Sequence, residues 1–296
     1  MADDPTLGFV GLGVMGEPMC RNLAKKSGRT VVGHDVRVEP LGRLGRHGVE
    51  GVETLEKAIE RADILFLSLP GGEQLEAVIE GPGGILERGR RGQIVVDHST
   101  APVELTRELA GKLKDKRIDY LDAPVARTRQ AAQDGTLAIM VGGKKTTFQK
   151  VRRYLKCVGT DITYCGGVGN GQAVKLLNNM VLVETVAALA DALAIGRRAG
   201  IDGEVLFQAL SKGSADSFAL RNHGLKSLLP GEYPEQAFST AYALKDLRYA
   251  LELARDVRID ARLAKEAERI LRKTIEAGLG DNYFPALLEV IEDVGE

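Results

Sequence analysis

Gly11-Leu12-Gly13-Val14-Met15-Gly16 is the first stretch whose residue types and spacing point to chemistry. Glycines at these intervals permit a tight turn and a close backbone approach to a pyrophosphate, seated where the free N–H groups and dipole of a helix amino end favour anions. The context this needs is present: the apolar run LGFV precedes the turn and the helix-compatible EPMCRNLAKK follows it. A second run, TVVGHD, ends at Asp35, which falls 35 − 16 = 19 residues past Gly16. At that interval an acidic residue takes the adenosine ribose hydroxyls, so residues 11–16 and Asp35 read together as a dinucleotide site. Asp35 would repel a 2′-phosphate, which favours NAD, while Arg37 offsets part of that repulsion and leaves NADP open.

A second constellation lies far downstream, in GNGQAVKLLNN at 169–179. Lys175 and Asn179 are four residues apart, so on a helix they share one face, and a cation beside an amide can hold and protonate a substrate oxygen. A lone lysine on a helix more often faces solvent, so the spacing by itself does not decide.

Elements must carry these residues. Over 6–166, short apolar or β-branched runs (LGFV, TVVGHD, ILFLSL, IVVDHS, DYLDAPV, TLAIMVGG, DITYCG) alternate with amphipathic stretches, the pattern of a mostly parallel, doubly wound α/β sheet. After the glycines at 166, 167, 169 and 171 the strand signals cease. A long helix is expected over 172–198, with further helices near 203–211, 216–228, 240–257, 260–278 and 282–294. The reading is therefore two domains, 1–167 and 168–296, which suits a length of 296 residues.

Composition narrows the function classes. Lys and Arg number 40 against 41 Asp and Glu, so no global field favours nucleic acid or an anionic membrane. Cys20, Cys157 and Cys165 are odd in number and lack paired metal spacing, so neither a disulfide framework nor a metal site is expected. MADDPT at the amino end carries no apolar segment and no later apolar run reaches about 20 residues, so a signal peptide and a membrane span are not expected and a cytoplasmic location is. His98, beside Ser99, reads as a loop residue rather than a base.

GFVGLGVMGEPMCRNL, then DAPV at 122–125 with DGTLAIMVGG, then GNGQAVKLLNN, then ALKDLRYALELA at 243–254, stand in the order of the successive blocks of the β-hydroxyacid dehydrogenases. The chain resembles that family over essentially its whole length. The resemblance implies a Rossmann-type domain followed by an all-helical domain, joined by a long inter-domain helix. It places Lys175 as the catalytic acid/base and Asn178 and Asn179 as holders of substrate oxygens. Leu69, Pro70, Thr100 and Lys245 would touch the cofactor, and Ser99 would border the substrate. It also implies a small anionic hydroxyacid or semialdehyde substrate and a homo-oligomer.

One block departs from the pattern. Where the family usually has Ser-Gly-Gly after DAPV, this chain has Ala126-Arg127-Thr128. Arg127 supplies a planar fork suited to carboxylate, sulfonate or phosphate oxygens, and Thr128 adds a hydroxyl. The Val-x-Arg-Thr pattern is similar to the sulfolactaldehyde reductase branch. Two alternatives stand beside that reading: an ordinary 3-hydroxyisobutyrate or tartronate semialdehyde enzyme, and a non-catalytic module that senses NAD.

Overall fold

The computed structural model describes residues 4–235 and 237–293, so Val294, the end of the expected 282–294 helix, lies outside it. The strands are β1 (Leu7–Val10), β2 (Val31–His34), β3 (Val49–Gly51), β4 (Ile64–Leu67), β5 (Ile94–Asp97), β6 (Asp119–Asp122), β7 (Val125–Ala126), β8 (Leu137–Gly143) and β9 (Gly159–Gly166). Between them run α1 (Gly16–Ser27), α2 (Glu39–Gly45), α3 (Leu55–Arg61), α4 (Gly72–Glu80), α5 (Ile85–Arg88), α6 (Val103–Asp115), α7 (Arg129–Asp134) and α8 (Lys145–Leu155). The sheet order is β3-β2-β1-β4-β5-β6-β8-β7, with β9 on the other edge of β8. Strands β1 to β6 run parallel to one another, whereas β8 runs antiparallel to β6 and β7.

Alternation along the strands fills both faces of this sheet. Leu7, Phe9, Ile64, Phe66, Ile94 and Val96 join one buried cluster, while Val10, Leu65, Leu67 and Val95 join another on the opposite face. That double covering is why the sequence shows near-continuous apolar runs rather than polar alternation. The expected strand DYLDAPV is split into β6 and β7, because Pro124 between them has no N–H for the ladder. Strand β3, whose residues Glu50 and Gly51 are exposed, carries no such apolar run and was not anticipated.

The rest of the chain is helical: α9 (Asn170–Arg198), α10 (Gly203–Leu210), a π-helical stretch (Leu220–Leu228), α11 (Thr240–Asp256), α12 (Arg262–Glu276), a 3₁₀ turn (Phe284–Ala286) and α13 (Leu287–Glu292). Val183, Val186, Leu189, Ala190 and Leu193 on α9 pack with Phe207, Leu220, Leu247, Leu271 and Phe284 into one core. By length and composition α9 could span a membrane, but half of its most apolar window is buried within the protein, as befits a core helix. The chain divides into two compact units at Lys175/Leu176, inside α9 rather than ahead of it. The first turn of α9 belongs with the sheet because strand-end groups hold it, as the site shows.

Candidate active site

The turn from β1 to α1 is made from backbone alone. Gly11 has φ +89°, and a Cβ there would lie 2.3 Å from the Ser68 carbonyl oxygen. At Gly16 a Cβ would meet the Gly11 carbonyl oxygen at 1.9 Å. Both glycines are thus demanded by the protein itself. Gly13 differs: nothing lies within 4 Å of a Cβ built there. A glycine the fold does not need, facing open space at the amino end of a 12-residue helix with no side-chain cap, is what close approach of a dinucleotide phosphate requires. Leu12 is buried in the core cluster that lines one face of the sheet, whereas Val14 is exposed on the turn and Met15 half-buried.

Asp35 stands just past β2. One carboxylate oxygen accepts from Leu12 N–H at 2.6 Å, and the other accepts from the backbone and guanidinium of Arg37 at 2.9 and 3.2 Å. Burial pushes its pKa up, but the N–H groups of Arg37 and Leu12 and the Arg37 charge outweigh that and leave it below the ordinary value. The acid therefore clasps the glycine turn that it accompanies.

At the ends of β4, β5 and β6 a second network forms. Ser99 Oγ accepts from Leu69 N–H at 2.9 Å, and Ser99 N–H donates to Asp97 at 2.9 Å. Ser99 is buried, Thr100 half-buried, and Pro70 exposed. Neither Ser99 nor Thr100 caps α6, whose first residues have no side-chain cap. His98 is fully enclosed rather than on a loop surface: it stacks on Phe66 at 5.9 Å and its Nδ1–H donates to the Ala123 carbonyl at 2.7 Å. Burial lowers its pKa to about 4, so it is a neutral group: His98 lies in the loop after β5, as the sequence implies, but that loop position is enclosed in the core.

Two residues with no role assigned from the sequence close this network. Asp122 ends β6, buried; its two oxygens accept from Gly169 N–H and Gln172 N–H, each at 2.9 Å, capping α9. Gln172 in turn donates to the Ser99 carbonyl at 2.8 Å and accepts from Ala101 N–H at 3.3 Å. The signal was an acid inside a buried strand, which is rare unless partnered. Lys175 follows Gln172 by three residues on α9. Further along α9, Asn178 is exposed and donates to Asn179 Oδ1 at 3.1 Å, and the buried Asn179 donates to Asp246 at 2.7 Å. Lys245 on α11 lies 3.0 Å from Asp246 and 5.3 Å from the ring centres of Tyr242 and Tyr249.

The loop after β7 is built differently. Arg127 adopts φ +89°, a left-handed conformation natural to glycine, and its guanidinium donates to the Thr136 carbonyl at 2.6 Å and pairs with Asp161 at 2.7 Å. Thr128 Oγ1 accepts from Ala131 N–H at 3.3 Å as the amino cap of α7.

Residues 6–167 match the family model of the NAD-binding domain of 6-phosphogluconate dehydrogenase, and residues 169–291 match that of the NAD-binding region of NADP-dependent 3-hydroxyisobutyrate dehydrogenase. The chain belongs to the β-hydroxyacid dehydrogenase family. This dehydrogenase is 34% identical over 288 residues to 2-(hydroxymethyl)glutarate dehydrogenase of Eubacterium barkeri, covering 97% of this chain and 95% of the relative. It is 33% identical over 291 residues to 2-hydroxy-3-oxopropionate reductase of Escherichia coli strain K12, covering 97% of each. Among solved structures, 3-hydroxyisobutyrate dehydrogenase of Mycobacterium tuberculosis, described with L-serine, superposes with a TM-score of 0.87 at 30% identity, covering 97% of this chain and 99% of that one. The dehydrogenase is therefore an NAD(P)-dependent oxidoreductase acting on CH–OH groups, and its fold is the Rossmann-type and helical combination of that family. Hydroxyacids are its substrate class, and the reading as a non-catalytic NAD sensor is set aside.

Proposed function

We propose that this dehydrogenase interconverts a small 3-hydroxyacid and the matching semialdehyde, with Lys175 as general acid/base and NAD as the preferred cofactor. The observation that carries the reading is the fixed first turn of α9, which presents Lys175 three residues beyond Gln172, together with Asn178 one turn further. L-serine, named with the M. tuberculosis relative, is itself a 3-hydroxyacid, and the E. coli relative is named for a three-carbon oxoacid.

The residues divide the work. The turn at 11–16 seats the cofactor's pyrophosphate and Asp35 faces its ribose; when bound, the nicotinamide supplies or takes up hydride. Lys175 exchanges the proton of the substrate oxygen: as an ammonium it donates during reduction, as an amine it accepts during oxidation. Asn178 and Asn179 hold substrate oxygens, and Ser99 and Thr100 border substrate and cofactor. Leu69, Pro70 and Lys245 complete the cofactor contacts. The dehydrogenase works as a homo-oligomer in this reading, which the exposed Leu177, Val181 and Ile195 on α9 favour.

Acid/base assistance contributes about 10² to 10⁴ in rate, so Lys175→Ala should lower kcat by that order while NADH affinity holds. Turnover like that of the parent would end the assignment of Lys175.

A second reading rests on Arg127, a cation where the family usually has glycine, with its side chain 42% exposed. In that reading it leaves Asp161 to clamp a terminal sulfonate, as in a sulfolactaldehyde reductase, with Thr128 donating beside it. NADH oxidation with sulfolactaldehyde, 2-hydroxy-3-oxopropionate, methylmalonate semialdehyde and succinate semialdehyde separates the two readings. A charge-assisted bond is worth roughly 1.5–3 kcal/mol, so Arg127→Ser should cost a sulfonate about 10- to 150-fold in kcat/KM. Equal losses for every aldehyde would remove the clamp.

A further inference from the structure

We infer that Asp122 and Gln172 are positioning residues for Lys175, a pair that fixes the first turn of α9 to two strand ends and so places the lysine for proton exchange; the inference rests on Lys175 being the acid/base.

Four hydrogen bonds make the anchor, and they reach in two directions. Toward β6, the Asp122 carboxylate takes the N–H of Gly169 on one oxygen and the N–H of Gln172 on the other, both at 2.9 Å. Toward the end of β5, the Gln172 side chain is used at both ends, donating to Ser99 O at 2.8 Å and accepting from Ala101 N–H at 3.3 Å. Both Asp122 and Gln172 show no exposed surface, so none of the four bonds is exchanged for water.

The glycines around them are sized to the carboxylate. A Cβ at Gly142 would lie 2.5 and 2.6 Å from the Asp122 oxygens, and one at Gly171 would lie 2.8 Å from Asp122 Oδ2 and 2.4 Å from the Met140 carbonyl. Gly169 sits at φ +84°, where a side chain is disfavoured, and turns the chain so that its N–H meets the acid. The helix therefore begins in contact with strand backbone, at a height set by a carboxylate rather than by apolar packing, which would tolerate sliding. Gln172 and Lys175 are three residues apart on one helix, less than a full turn, so a tilt at Gln172 is carried directly to the lysine. Ser99 joins the same web through Leu69 N–H, which ties the lysine's support to the ends of β4, β5 and β6.

Asp122→Asn keeps the shape but offers one acceptor where two N–H groups need one each, and turns an amide N–H₂ toward an amide N–H. Misplacement of a catalytic group by about 1 Å can cost on the order of 10² in rate, so Asp122→Asn should lower kcat by about 10- to 100-fold with little change in NADH affinity or in KM for the best aldehyde of the panel above. Gln172→Met, which removes both bonds to the β5 end but keeps the volume, should act in the same direction. The deciding measurement is a double-mutant cycle in the full-length enzyme, with Asp122→Asn introduced into both parent and Lys175→Ala backgrounds.

If Asp122 acts through Lys175, its loss disappears once the lysine is gone. If the losses multiply, or if both single variants keep the parent kcat, the positioning role is overturned. Should Asp122→Asn fail to fold, the cycle is run with Gln172→Met. Should Lys175→Ala turn over normally, the acid/base reading falls, and amide hydrogen exchange over 169–175 decides the anchor separately: faster exchange in Asp122→Asn supports it, and unchanged exchange overturns it.

Discussion

The turn at 11–16 and the loop at 126–129 both follow strands of one sheet, yet they are made of opposite materials. The first is backbone: two glycines that any Cβ would break, a third facing open space, and an acid with one oxygen on the turn's Leu12 N–H. The second is side chain: an arginine held at φ +89° by its pairing with Asp161 and Thr136, and a threonine that caps a six-residue helix. A site made of backbone has one chemistry, since N–H groups and a helix dipole suit phosphate and little else. A site made of side chains takes the specificity of whichever partner its charge meets.

The glycine turn should break hardest. In Gly16→Ala the new methyl meets the Gly11 carbonyl at 1.9 Å, so backbone must shift. Overpacking of this kind costs about 1–3 kcal/mol, and NADH binding should fall at least about 100-fold. Gly13→Ala meets nothing within 4 Å, so thermal stability without cofactor should match the parent while NADH affinity drops about 10- to 100-fold. Calorimetry and fluorescence titration of both variants test the contrast. A Gly13→Ala protein that binds NADH normally would show that the cofactor does not approach there. Asp35→Asn comes next: it leaves an acceptor for Leu12 N–H but removes the charge, and should shift the NADPH to NADH preference by about 10-fold toward NADPH.

Legibility followed the same division. The glycine spacing, the interval to Asp35 and the apolar runs were readable because each has few physical solutions: a turn needing positive φ takes glycine, and a strand covered on both faces takes Val, Ile, Leu or Phe. Lys175 and Asn179 were readable as helix neighbours, but not that Asn179 would be held by Asp246, 67 residues away. Asp122 and Gln172 were missed for the same reason, since each answers to backbone groups of a distant segment. The burial of the loop residue His98 is not legible locally, because the Ala123 carbonyl that accepts from its ring Nδ1–H belongs to a segment 25 residues away. The π-helical stretch Leu220–Leu228 reads as an ordinary helix in the sequence because i→i+5 bonding carries no residue-type signature of its own.

The smallest effect tests the second region most sharply. Arg127→Gly should relieve a left-handed strain worth about 1 kcal/mol or more. Against that it loses an ion pair whose side chains are 42% and 61% exposed, a setting in which such pairs contribute about 0–1 kcal/mol. Glycine also adds freedom to the unfolded chain, at about 0.4–1 kcal/mol. These terms nearly cancel, so stability by denaturant unfolding should stay within about 1 kcal/mol of the parent. On the proposed clamp reading the same variant should also shift selectivity among the aldehydes. If instead Arg127→Gly unfolds readily and all aldehydes suffer alike, Arg127 is a structural tie to Asp161, and the loop at 126–129 is fixed by its own contacts as firmly as the glycine turn.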